Sequence, residues 1–344
     1  MTSPLINAQR LTSAAEARLL IAITFHFVKD RLGYLDKVLR SLAAFPLSRR
    51  DIVVFTNTRK SAEQESVRQL FREAGLHDGG DARLEVKVVL VHPHNLAWAH
   101  KKLISGAVLA PDSPYSHFAY LEDDEQLTFE NFVYFLAARD ILRPFDLAPA
   151  FLRTEWSAER KCYVNTDNTA PIVLTERPFI TDGDYAFVGA DNPYCGGFIL
   201  DQDLAREYAR SHSFHLRRSR KVSPFFGVRE RSAMGLTFEN PPAPFVYRVV
   251  VPVSMSSRTA PECAWLAHLP NNYADNPSTP HGKLAMADLF AGNFSAKKEV
   301  VLSSFKHTRR EWPPAQQPRW QKLRVLCNGL MRNNVERLRR ALRG

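Results

Sequence analysis

The sequence predicts an α/β protein built on a doubly wound, mainly parallel sheet, followed by a basic α-helical tail. Three observations carry that expectation. Apolar runs of strand length alternate four times with amphipathic runs of helix length over the first 145 residues. The 344 residues, 45% hydrophobic and 24% charged, suffice for a large core and are not disordered in composition. The charge is also unevenly placed. Residues 297–344 carry 13 Lys/Arg against Glu299, Glu311 and Glu336, which is the whole net charge of +10.

Taken in order, "ARLLIAITFHF" (17–27) reads as a buried strand. "DRLGYLDKVLRSLAAF" (30–45) reads as a helix with Leu32, Leu35, Val38, Leu39 and Leu42 on its apolar face. "RDIVVFTNT" (50–58) is a second strand, and "SAEQESVRQLFREAG" (61–75) a helix that Ser61 would cap and Gly75 would end. A third strand, "LEVKVVLVHP" (84–93), precedes a third helix, "NLAWAHKKLISGAVLA" (95–110). The fourth pair is "SHFAYLEDDEQL" (116–127) and "FENFVYFLAARDIL" (129–142). Strands and helices alternating at these lengths imply βαβ units and a sheet covered on both faces.

Composition also excludes. The longest apolar run near the N-terminus, "LLIAITFHFV" (19–28), is about half of what spans a bilayer. No basic region precedes it and no small-residue cleavage site follows, so no signal peptide is expected. Cys162, Cys195, Cys263 and Cys327 lie far apart, which argues against a zinc site or a disulfide framework and suits a reducing cytoplasm. The first 296 residues hold 33 basic and 33 acidic side chains, so nucleic acid is not an expected partner.

The chemistry gathers where the fourth strand ends. There Glu122, Asp123, Asp124 and Glu125 stand in a row after "HFAYL". Four like charges at this spacing cost stability unless water, a cation or basic partners absorb them. An acidic turn into a helix N-terminus is the plainer reading. Ligands of such sheets sit at the carboxyl ends of the strands, and Thr24, His26, Thr56, Asn57, His92 and His94 end the others. Neither G-x-G-x-x-G after the first strand nor a P-loop is present, which removes dinucleotide oxidoreductases and P-loop enzymes. Carboxylates at the mouth of a nucleotide-sized crevice suit Mg2+ or Mn2+.

On these residues the sequence resembles the GT-A superfamily of nucleotide-sugar glycosyltransferases over roughly residues 17–270, with "LEDDE" (121–125) standing where the family has its DxD motif. The resemblance implies Asp124 as metal ligand, with Glu122 or Asp123 binding ribose or the metal through water. It implies a donor-binding set completed by Thr24, His26, Asn57 and Lys101. "PYCGGFIL" (193–200) would bring Gly196 and Gly197 beside the donor sugar, or mark an ordinary strand turn. Glu230, in a loop entering a helix and flanked by Arg229 and Arg231, would be the base, with Asp191 and Asp201 as the next candidates. His268 would be a third metal ligand or a packing residue, and Lys283 with His281 a closing lid.

The implied activity is metal-dependent transfer from a nucleoside-diphosphate sugar to a glycan or lipid-linked hydroxyl, inverting, in bacterial surface polysaccharide synthesis. A retaining outcome stays open. The alternatives are a non-catalytic scaffold and a nucleotidyltransferase, the latter short of its glycine-rich loop because only Gly33 lies there. The expected organisation is an extension at 1–16, a catalytic domain at 17–296 (nucleotide half to about 145, acceptor half beyond) and the tail at 297–344. In the tail, Leu323, Leu326, Leu330, Leu338 and Leu342 share a helical face ringed by arginines. That helix would lie on an anionic membrane at the cytoplasmic face or pack on protein.

Overall fold

A computed structural model describes residues 5–77, 79 and 82–304, so the expected tail helix at 319–344 lies outside the described residues. A short helix α1 (Ala8–Ala15), capped by Asn7, leads into strand β1 (Arg18–Phe25). Helix α2 (Leu32–Ala43) follows a 3₁₀ turn at Lys29–Arg31 and buries Leu35, Val38, Leu39 and Leu42, one face of a 3.6-residue period. Then come β2 (Arg49–Thr56), α3 (Ser61–Glu73), β3 (Ala82–Val88), β4 (His117–Glu122), β5 (Glu125–Gln126) and α6, preceded by the short turns α4 (Pro93–Leu96) and α5 (Lys101–Leu103); α6 spans Phe129–Leu142. Thr128 and Asn131 form a capping box at the start of α6, which is why that helix begins where its apolar run does.

Residues 148–188 make short strands: β6 (Ala148–Pro149), β7 (Leu152–Ser157), β8 (Cys162–Asn165), β9 (Ile172–Val173), β10 (Phe179–Asp182) and β11 (Tyr185–Val188). After them run β12 (Gly197–Asp201), helices α7 (Gln202–Arg210), α8 (Ser219–Val222) and α9 (Val228–Ser232), then β13 (Val249–Ser254), β14 (Trp265–His268) and β15 (Leu284–Ala285).

The expected parallel sheet is present, in the order β12-β4-β1-β2-β3. Strands β1 to β4 are parallel and β12 closes the edge antiparallel. The middle strands are buried along almost their whole length, the pattern of a sheet covered on both faces. A second five-stranded sheet, β15-β8-β7-β14-β5, stands beyond it. The chain passes from one sheet to the other between β4 and β5, through Asp123 and Asp124 alone. Helix α6 is buried nearly all round, and Asn131 donates to the carbonyls of Cys263 and Trp265, tying the helix to the entry of β14. That junction of two sheets positions everything below.

Three elements depart from the sequence reading. The third helix is broken into α4, α5 and a π-helical turn at Ile104–Val108, with Lys101, Leu103, Ile104 and Val108 buried. Helix α3 begins at Ser61 with Lys60 as its unbonded cap, so Ser61 caps nothing; Gly75, at φ 75°, does stand at the end. The stretch around His281 and Lys283, expected to form a closing lid, instead leads into β15, which pairs with β8, and a 3₁₀ turn at Met286–Asp288.

Candidate active site

The four carboxylates at 122–125 are buried, and they share Arg31, Arg153, Arg229 and His268 as partners, with Arg31 reaching both Asp123 and Asp124. Arg31 donates Nε and Nη2 to the two oxygens of Asp123, both at 2.8 Å, and Nη2 also reaches Asp124 Oδ2 at 2.8 Å. Arg153 donates to Glu125 Oε1 at 3.3 Å and forks onto Asp167 at 3.0 and 2.7 Å. Its guanidinium also lies over the rings of Tyr194 and Tyr273. Glu122 accepts from the Tyr194 hydroxyl at 3.1 Å and pairs loosely with Arg229 Nε at 3.8 Å. The fourth partner is His268.

His268 ends β14, which pairs antiparallel with β5, so the register sets His268 opposite Glu125. Its Nδ1 lies 2.6 Å from Glu155 Oε1, and its Nε2 lies 3.7 Å from Asp124 Oδ2, beyond hydrogen-bond reach. Glu155 also accepts the backbone amides of Asn272, Tyr273 and Ala274, at 3.1, 2.8 and 2.7 Å. A carboxylate so fixed receives the Nδ1 proton and leaves Nε2 for Asp124 or for a metal, the usual arrangement around a histidine ligand.

These residues fit a divalent cation. One oxygen or nitrogen from each of Asp124, Glu125 and His268 falls within a cluster 4.8 Å across. Asp124 Oδ1 and Glu125 Oε2 are buried with no hydrogen-bond partner among the described residues, an expensive state for carboxylate oxygens that nothing coordinates. The charge count points the same way. Among the described residues, Glu122, Asp123, Asp124, Glu125, Glu155 and Asp167 face three guanidiniums, those of Arg31, Arg153 and Arg229, and the imidazole of His268. Burial accordingly raises Glu122, pushes Glu125 well up and lifts Asp123 to about 7, where Arg31 opposes the rise and Asp124 adds to it. Asp124 departs from its neighbours: against its burial, His268 and Arg31 hold it down at about 2. His268 is raised, since its two carboxylates outweigh its burial. Among the four acids Asp124 is the one whose pKa is shifted down.

Several residues expected from the sequence meet here. Thr24 pairs with Glu122 in the β1–β4 register, and the Gly196 carbonyl accepts the Glu122 amide at 3.1 Å. Gly196 has φ 71°, and a Cβ there would stand 2.6 Å from Glu125 Oε1; one at Gly197 would meet the Tyr120 carbonyl at 2.9 Å. The two glycines therefore make room for β4 and for the Glu125 carboxylate of β5. His26 Nδ1 and Asn57 Oδ1 lie 2.9 Å apart, exposed at the carboxyl ends of β1 and β2. Glu230 lies in α9 beside Arg229, the residue that reaches Glu122, and makes no side-chain hydrogen bond among the described residues.

Others are placed elsewhere. Lys101 is buried among Trp98, Tyr208 and Phe214, with its Nζ against the Tyr208 hydroxyl and 3.4 Å from the Ser213 carbonyl. No carboxylate shares that cage, and burial pushes its pKa well down. The amine of Lys283 is taken by the Tyr273 and Ala274 carbonyls at 3.0 and 2.9 Å. It steadies from behind the turn whose amides hold Glu155. Asp191 is paired with Arg177, and Asp201 caps α7 and pairs with Arg139, so neither is free as a base.

Sequence reading assigns no site role to Arg31, Glu125, Asp167 or Tyr194, and leaves Arg153 and Glu155 either beside a sugar or paired with each other. The one available signal is in "FLRTEWS", where Arg153 and Glu155 stand two apart on a strand and so share a face. They do not pair with each other: one serves Glu125 and Asp167, the other His268.

No protein-family model matches the sequence, and no curated protein matches it. Among solved structures the chain is similar to S. aureus TarS 1–349, at 11% identity and a TM-score of 0.32, covering 55% of this chain and 48% of that one. It is also similar to the mannosyltransferase PcManGT from Pyrobaculum calidifontis in complex with GDP-Man and Mn2+, at 10% identity and a TM-score of 0.34, covering 74% and 57%. The chain thus spans about half the length of each. Likeness this distant does not reach substrates or residue roles, which rest on the site itself.

Proposed function

We propose that the protein is a metal-dependent glycosyltransferase that moves a sugar from a nucleoside-diphosphate donor to a glycan or lipid-linked hydroxyl. One observation carries the reading: Asp124, at the carboxyl end of the central parallel sheet, faces a histidine whose other nitrogen is fixed by a buried glutamate, while two carboxylate oxygens stay unpartnered. Asp124, Glu125 and His268 would hold Mn2+ or Mg2+. Such a cation, when bound, stabilises negative charge developing on a leaving diphosphate.

The chain's own residues supply the rest. His26 and Asn57 at the sheet's carboxyl edge are placed for the nucleoside, and Arg229 is the exposed guanidinium nearest the carboxylates. Glu230, on the same helix, takes the proton of the acceptor hydroxyl at a carboxylate oxygen, and a single such base suits inversion. Glu155 moves no proton to substrate; it orients His268. Residues 17–145 form the nucleotide half and 146–296 the acceptor half of this reading.

The test is a screen of nucleoside-diphosphate sugars with the purified full chain and Mn2+ or Mg2+, reading released nucleoside diphosphate. Chelator-sensitive release is expected with one donor; none with any donor would overturn the reading in favour of a non-catalytic scaffold. Among the described residues no helix is long and apolar enough to cross a membrane. Binding at a cytoplasmic membrane face rests on the arginine-rich stretch 319–344. Sedimentation with anionic vesicles, with and without that stretch and at two salt concentrations, decides it.

A further inference from the structure

Resting on the cation reading above, we propose that Arg31 is a positioning residue that competes with the cation for Asp124 and thereby couples cation binding to binding of the diphosphate. Arg31 lies on the 3₁₀ turn directly after β1, at the crevice end of the sheet. Its side chain is 31% exposed over carboxylates that are 6% and 8% exposed, so it covers them from the solvent side. The fork onto Asp123 fixes the guanidinium, and that same fork delivers Nη2 to Asp124 Oδ2 at 2.8 Å. Asp124 Oδ2 is also the oxygen that faces His268 Nε2 at 3.7 Å. One oxygen thus has two claimants.

A divalent ion taken up by Asp124, whose Oδ1 has no partner among the described residues, stands next to the guanidinium held on Oδ2, a like-charge contact in a buried setting. A diphosphate changes that balance. Arg31 Nη1 makes no hydrogen bond among the described residues, so the guanidinium keeps donors free on its outer edge. Guanidiniums bind phosphate oxygens bidentately and strongly. An arriving diphosphate supplies Arg31 with new partners and brings negative charge to the cation, so the two ligands bind each other's sites into shape. Reciprocity then requires each to raise the other's affinity.

The experiment titrates Mn2+ alone into the full chain and reads free Mn2+ by its magnetic resonance signal, comparing wild type, Arg31→Gln and Arg31→Lys. Each titration is repeated with the nucleoside diphosphate released in the donor screen. Arg31→Gln should bind Mn2+ alone roughly tenfold more tightly or better, as expected for removing a like charge from the carboxylate that would hold the ion. It should also lose most of the gain that the nucleoside diphosphate gives wild type. Arg31→Lys keeps the charge without the fork and should fall between the two. Unfolding curves confirm that the variants are folded, and Arg31→Lys carries the comparison if Arg31→Gln is not. Mn2+ affinity unchanged or weaker in the folded variants, with wild-type release still chelator-sensitive, overturns the Arg31 role alone. Absence of Mn2+ binding in every form, with or without the nucleotide, overturns this role and the cation reading together.

Discussion

The two sheets that meet at the acidic turn treat polar side chains in opposite ways. At the edge of the parallel sheet, His26 and Asn57 are exposed and paired only with each other, placed to be used by something outside the protein. In the second sheet, Arg153, Glu155, Asp167 and His268 are buried and bonded to one another or to backbone amides. The first sheet presents groups; the second fixes them. Asp124 belongs to neither, since it sits in the turn between them, anchored by its carbonyl, which accepts the Leu269 amide at 2.9 Å. The difference teaches that the acids of a metal-type site and their supports need not come from the same part of the fold. A buried network with all partners present rigidifies, whereas one left partly open is poised for a ligand.

The sharpest way to break this comparison is Asp124→Asn. It keeps the shape of the turn and removes the carboxylate held ionised at about 2, and is expected to abolish nearly all chelator-sensitive release with an unfolding midpoint close to wild type. Activity that survives would leave the second sheet supporting nothing catalytic. Next in size is Glu230→Gln. A general base contributes roughly 10²–10⁴-fold, so turnover should fall by that factor while donor affinity holds. An unchanged turnover number would remove α9 from the chemistry.

Glu155→Gln probes the supporting sheet itself. The residue touches no substrate in the proposed reading, yet it sets which nitrogen of His268 carries the proton. Loss of such a support typically costs 10–100-fold in metal affinity, which Mn2+ titration of the variant would read directly. If affinity is unchanged, the Glu155–His268 pair is packing only. Smallest is Lys101→Met, a similar volume in the same aromatic cage. Donor affinity and turnover are expected to stay at wild-type values, since no carboxylate or crevice residue touches the amine. A marked rise in the donor KM would show that the cage communicates with the crevice.

Much of the parallel half was legible because its signals are local. Strand β1 is a continuous apolar run, α2 repeats at 3.6 residues, and α6 begins at its capping box. The broken helix at 93–108 was not legible. Its Lys101 is buried against Tyr208 of α7, a residue 107 positions away, which no local pattern announces. Glu155 was hidden for the same reason: its partners at 268 and 272–274 become neighbours only when β7 pairs with β14. Lys283 shows the converse error, a lysine in a polar stretch that reads as free for ligand until its amine is found on two backbone carbonyls.

By itself the sequence determined the alternation of strands and helices, the neutral body with its basic tail, and the accumulation of acid at the end of the fourth strand. Those are properties of composition and short-range period, and no distant contact can alter them. Only the tertiary structure decided which acid is shifted down, which histidine nitrogen is free, and which cations are already engaged. The first two depend on distances between segments more than 90 residues apart, from Arg31 to Asp124 and from Glu155 to His268, and on a burial that makes every such distance count.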